Sequence, residues 1–241
     1  FNIASGATLT GDITGGTGSD TITQADGANT WDISAANAGD VTDIGSFSGV
    51  ENLTGGTGAD TFNVASGATL TGDITGGTGS DTITQADGAN TWDISAANAG
   101  DVTDIGSFSG IENVTGGTGD DTFNIASGAT LTGDITGGTG SDTITQADGT
   151  NTWDISAANA GDVTDIGSFN GIENVTGGTG TDTFNIASGA TLTGDITGGT
   201  GTDAIIQVDG ANTWDISAAN AGDVTDIGSF SGIENVTGGT G

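Results

Sequence analysis

Phe1, Phe62, Phe123 and Phe184 each open almost the same run of residues, so the chain is a tandem array with a period of 61. No other feature constrains the fold as strongly. A period of this size marks units that stack, each burying against its neighbours a face it cannot bury alone. The units run 1–61, 62–122, 123–183 and, shorter, 184–241. They are expected to form one continuous solenoid with no linker between them. The chain starts and stops inside a motif, as a segment of a longer array would, and any export signal is expected outside these residues.

Each period divides again. From Gly55 the pieces are GGTGADTFNVASGATLTGDIT, GGTGSDTITQADGANTWDIS and AANAGDVTDIGSFSGIENVT, of 21, 20 and 20 residues. Asp60, Asp81 and Asp101 then share the sixth position, and Ile74, Ile94 and Val114 align near the ends. About twenty residues is one circuit of a β-solenoid. Alternation such as Thr61-Phe62-Asn63-Val64 reads as strand, and the glycine clusters and Ala-Asp-Gly-Ala-Asn read as turns. No segment carries a 3.6-residue apolar period. The expected fold is therefore all-β: a parallel β-solenoid (β-helix) with three rungs of about 20 residues per 61-residue repeat. Rungs about 4.8 Å apart would advance the rod about 14 Å per unit. The inward side chains of one unit should be Phe62, Val64, Leu70, Ile74, Ile83, Trp92, Ile94, Val102, Ile105, Phe108, Ile111 and Val114.

Charge narrows the function. Thirty-two carboxylates face no Lys, Arg or His, for a formal charge of −32. Nucleic acid and anionic lipid are bound largely through basic side chains, so neither is an expected partner. No apolar run reaches the length of a membrane-spanning helix, and no membrane insertion is expected. The absence of Cys removes disulfides and thiolate zinc sites. Catalysis is not expected either. No imidazole, amine or thiol is present, and near-identical copies of every Asp leave no unique cleft for a carboxylate pair. Cations are what such a surface attracts.

The motif says which cation. G-G-x-G-x-D-x-U-x, with U apolar, is complete seven times, starting at Gly15, Gly55, Gly76, Gly116, Gly137, Gly177 and Gly198. In this the chain resembles the RTX family of secreted calcium-binding repeat proteins, whose signature is this nonapeptide. The longer phrase I-E-N-V-T-G-G-T-G-x-D-T-F is similar to repeat regions of very large secreted bacterial adhesins. The likeness covers about a third of the chain, and it departs from type. RTX nonapeptides follow one another directly, whereas these copies alternate at 40- and 21-residue spacing.

The resemblance implies Ca²⁺ as the cofactor. Glycines permit tight turns with carbonyl oxygens turned inward, Asp adds a hard anionic oxygen, and oxygen-only ligation suits calcium. The best sites should pair Asp60 with Asp81, Asp121 with Asp142, and Asp182 with Asp203. Asp20 is a further ligand, and the carbonyls of Gly55 to Gly58 and Gly76 to Gly79 should complete the shell. The column of sixth-position Asp is expected to pass on through Asp101, where Ala96 and Ala97 replace the glycines. The competing reading is solvated turn carboxylates neutralised by diffuse counterions. Asp93, Asp73 and Asn113 are expected to stack as a polar ladder, and Glu112, with its copies Glu51, Glu173 and Glu234, to be a solvated edge residue. Trp31, Trp92, Trp153 and Trp214 should face the core; outward, they would make a stripe for stacking sugars.

These features point to a structural role: a calcium-stabilised extracellular fibre or stalk of a large repetitive secreted bacterial surface protein. It would extend an adhesin or build a surface filament or biofilm matrix. Its partners would be calcium, copies of itself along or beside the fibre, and surface glycans. Lack of Lys and Arg leaves trypsin no cleavage site, which suits exposure outside a cell. The alternative is an ice- or glycan-binding solenoid surface, since Thr-Ile-Thr and Thr-Leu-Thr recur, although not in every rung.

Overall fold

The computed structural model describes residues 1–208 and 210–239. Among them every regular element is a strand, and two sheets of fourteen strands each carry the architecture. The molecule is an all-β solenoid repeat protein. Fourteen strands about 4.8 Å apart make a rod about 60 Å long.

One repeat shows how the chain winds. Strand Thr61–Val64 lies in one sheet and Leu70–Thr78 in the other. The chain returns in Thr82–Gln85 and crosses again into Thr91–Ala96, Ala99–Val102 and Ile105–Ser109. Asn113–Thr118 then lies back in the first sheet. The chain thus makes five passes between the sheets in 61 residues. Five is odd, so the next repeat begins on the opposite sheet: Thr122–Ile125 belongs to the sheet that Thr61–Val64 does not. Successive repeats are related by a half-turn, and a feature returns to the same face only every second repeat.

The solenoid is as expected; its internal count is not. Parallel neighbours are offset by 21 residues (Phe62 beside Ile83), 31 (Ile83 beside Val114) and 34 (Ile74 beside Phe108), rather than by a uniform twenty. The piece beginning Ala96-Ala97 is not a circuit. Thr91–Ala96, Ala99–Val102 and Ile105–Ser109 fold back on one another as an antiparallel meander within one sheet. The cause is local. Asn98 and Asp104, at φ 51° and 68°, occupy the left-handed region that Asn and Asp tolerate best after Gly, and each closes a tight turn. Gly100 passes so close to Asp93 that a β-carbon there would lie 2.0 Å from its carbonyl oxygen. With seven strands per repeat shared by two sheets, a repeat advances the rod about 17 Å rather than about 14 Å.

The core lies between the sheets as one cluster along the whole rod. All twelve side chains expected to point inward are buried. Burial alternates with period two along the strands, as in the buried Phe62 and Val64 between half-buried Thr61 and Asn63. Trp31, Trp92 and Trp153 are fully buried, each stacked on the Phe that opens the next repeat at 5.6–5.9 Å between ring centroids. Trp214 is half-buried. The tryptophans therefore form the inner spine of the rod, not a sugar-stacking stripe.

Candidate metal centre

The glycine turns stack directly. Gly56 pairs with Gly77, and Thr57 with Thr78. Gly56, Gly58, Gly77 and Gly79 have φ of 99°, 111°, 112° and 149°, which only glycine adopts without strain. Gly55 is needed for a different reason. A β-carbon there would lie 2.3 Å from Asp60 Oδ2 and 2.7 Å from the Gly76 carbonyl oxygen, so the first glycine makes room for the motif's own carboxylate. Gly76 does the same for Asp81, whose Oδ2 would lie 2.6 Å from such an atom.

The carboxylates run along the turns as a ladder. Asn29 N–H donates to Asp60 Oδ1 (2.7 Å), Asp60 N–H to Asp81 Oδ1 (2.7 Å), and Asp81 N–H to Glu112 Oε2 (2.8 Å). The next ladder is Asn90, Asp121, Asp142 and Glu173; the one after is Asn151, Asp182, Asp203 and Glu234. Asp20 N–H donates to Glu51 Oε2 at 2.8 Å. Each side chain thus caps a backbone amide of the adjacent turn. Because repeats alternate by a half-turn, the ladders alternate between the two sheets.

The three expected Asp pairs are brought together, and their members are buried, each at most 1% exposed. The column itself differs from the expected one. Asp101 leaves it: the meander places Asp101, exposed, opposite half-buried Asp93 on the outward face of the strand pair. Its place is taken by Glu112, which is not a solvated edge residue but half-buried and engaged at both oxygens. Oε2 accepts from Asp81 and Oε1 from Asn98 Nδ2, at 2.8 Å. Asn90 and its copies complete the ladder from the Ala-Asp-Gly-Ala-Asn turn. That turn is therefore a degenerate member of the motif stack; the shared spacing of an acid or amide just before each strand was the signal for it. Asp73, Asp93 and Asn113 do not stack together. Asp73 accepts from Ser107, Asp93 from Asn124, and Asn113 Oδ1 accepts the Asp134 N–H. They are separate polar links along the rod.

Oδ2 of Asp20, Asp60, Asp81, Asp121, Asp142, Asp182 and Asp203 is buried and meets no protein donor. Each lies instead near a carbonyl oxygen of the adjacent turn: Gly49 for Asp20, Gly76 for Asp60, and Gly110 for Asp81. A carboxylate oxygen that is buried without a donor, among further carbonyl oxygens, calls for a cation or a proton. Burial accordingly pushes the carboxyls of Asp60, Asp81, Asp121 and Asp182 above the usual range, against the opposing pull of the amide hydrogen bonds. Asp142 is pushed to about 6 by burial, with the Asp121, Glu173 and Asp120 carboxylates adding to it. In kind, the donor set fits a hard cation: anionic and carbonyl oxygens, no nitrogen, no sulfur. In number it is sparse. Among the described residues no group of three or more carboxylates converges, and the Gly55 carbonyl already accepts from Asn29 Nδ2 at 3.3 Å.

Fold and ladder together define an acidic β-solenoid repeat protein. No family model, no curated protein and no solved structure matches the chain.

Proposed function

We propose that the chain is a load-bearing stretch of an extracellular fibre or stalk, stabilised by calcium, within a large secreted bacterial surface protein. One observation carries the reading: a single continuous core with the same contacts repeated at every unit boundary. What such an arrangement offers is length and stiffness. Near-identical copies of every carboxylate give none of them a unique setting, and the chain contains no His, Lys or Cys for catalysis. Calcium would be held by Oδ2 of Asp60, Asp81, Asp121, Asp142, Asp182 and Asp203 with the neighbouring glycine carbonyls, and water would fill the remaining positions. When bound it supplies the positive charge that the side chains lack. Low calcium inside a cell and high calcium outside would then keep the chain loose before export and order it afterwards, by mass action.

The test is a calcium titration of the metal-free chain followed by circular dichroism and melting. Binding with a rise in melting temperature is expected; an unchanged β-signature and melting temperature in excess chelator would sink the calcium part. Small-angle scattering separately tests the rod.

A second reading has one observation in its favour. Outward Thr84, Thr115 and Thr136 share one column, with Thr82 and Thr61 beside it. Such hydroxyl rows suit an ice-binding face, and ice recrystallisation inhibition by the folded rod would favour it over a purely structural role.

A further inference from the structure

The three acid ladders differ at one position. The residue before the first Asp of each pair is Ala59 ahead of Asp60, Asp120 ahead of Asp121, and Thr181 ahead of Asp182. All three are exposed. Of these ladders only the one of Asp121 and Asp142 therefore carries a second carboxylate in the same glycine turn. Its place is fixed. Asp120 Oδ1 accepts the Ser141 N–H at 2.8 Å, and Asp142 Oδ1 accepts the Asp121 N–H at 2.8 Å, so two reciprocal hydrogen bonds clasp the adjacent turns. Ala59 has no side-chain oxygen to offer Ser80, and Thr181 has none that is charged.

The added charge sits beside a buried pair. Asp121 and Asp142 are fully buried, and Oδ2 of each has no donor. Burial is the main reason both carboxyls stand above the usual range, and the Asp120 carboxylate adds to it at each. A charge that repels two carboxylates attracts a divalent cation between them by the same law and with twice the force. Asp120 is exposed and keeps one oxygen on Ser141, so it acts through its field and not as a ligand.

Given calcium at the paired Asp residues, the reading on which this rests, we infer that Asp120 makes the turns of Asp121 and Asp142 the tightest of the three paired sites, and that this pair fills first as calcium rises. The advantage over the pairs Asp60 with Asp81 and Asp182 with Asp203 is about three- to tenfold, the size expected of one nearby surface charge partly screened by water and salt. Each rung is held by the rungs stacked on it, so order then spreads from these turns to their neighbours on either side. The ladders, alike in their hydrogen bonds, load in sequence and not all at once.

The test is a calorimetric calcium titration of the whole chain and of two variants, with hydrogen exchange at substoichiometric calcium. Asp120→Asn keeps an oxygen for Ser141 and removes only the charge; Ala59→Asp gives the turns of Asp60 and Asp81 that same charge. The equivalent position already carries Ala, Asp and Thr in successive repeats, so both variants should fold. The parent should show a tight class ahead of a weaker one, with the amides of residues 116–146 protected first. Asp120→Asn should lose the tight class while the total calcium bound stays the same, and Ala59→Asp should add a second tight class. Raising the salt concentration should shrink these differences, a response that a purely structural hydrogen bond does not give. Superimposed binding curves for the parent and Asp120→Asn, or protection appearing first around Asp60 and Asp81, would overturn the inference and leave calcium binding standing. An absence of calcium binding in every chain would overturn both.

Discussion

Replacing Asp81 by Asn separates the two tasks of its carboxylate. Asn keeps an oxygen for the Asp60 amide, and it puts an N–H₂ among carbonyl oxygens where Asp81 has a buried acceptor with no donor. In chelator, Asp81→Asn with its copies Asp142→Asn and Asp203→Asn should therefore melt several degrees higher than the parent chain. In millimolar calcium the order should reverse, because the cation has lost its anionic oxygen. Calorimetry of both chains in both buffers checks this; one shared direction in the two buffers would contradict it. Asp81→Ala, which also orphans the Asp60 amide, should cost about 1–3 kcal/mol in either buffer. The proton is calcium's competitor, and the sign of its effect follows from the raised values. Between the ordinary carboxylate value of 3.8 and about 6, the folded chain keeps a proton on Asp142 that the unfolded chain has released. This stabilisation is complete below 3.8 and lost as pH rises through about 6. Burial raises Asp60, Asp81, Asp121 and Asp182 in the same sense. In chelator the melting temperature should thus be higher at about pH 4.5 than at about pH 7.5, and the gap should narrow in calcium.

The meander is the element that ties one repeat to the next. Its turn residue Asn98 donates to Glu112 and Thr132, and accepts the Thr132 N–H across the repeat boundary. Asn98→Ala loses these bonds and leaves at φ 51° a residue that tolerates the left-handed region less well than Asn, so a cost of about 1–3 kcal/mol is expected. Asn98→Gly relieves the backbone term and should cost less; urea denaturation of the two variants measures the difference. The core was legible beforehand because period-two alternation is local: Phe62 and Val64 declare their facing within four residues. The winding was not. Aligning Asp101 with Asp60 and Asp81 treats equal spacing as equal position, and spacing carries no sign of whether a chain crosses to the other sheet or folds back in the same one. The sign lay in Asn98 and Asp104, residues suited to tight reversals that a search for glycine passes over. The same alignment hid Glu112, whose extra methylene lets it reach the Asp81 amide from a turn with no second glycine. The Asp pairs were legible because both members sit in the full motif; their burial was not, since turn carboxylates ordinarily face water.

A rod held by nearest-neighbour contacts gains stability with length until its ends no longer matter. Chains of two, four and eight repeats should show denaturation midpoints that climb and then level off, and a single repeat should not fold. Equal midpoints for two and eight repeats, by fluorescence of the buried tryptophans, would argue against the stacked-unit picture. The five passes per repeat carry one more consequence. Because five is odd, repeat number has parity. Inserting one unit into such a stalk would swing whatever follows to the opposite side of the axis, and inserting two would bring it back facing as before, about 34 Å further out. Recombination between near-identical units would then act as a selector of direction as well as reach, and loss of a single repeat would aim a distal domain away from the surface it had faced.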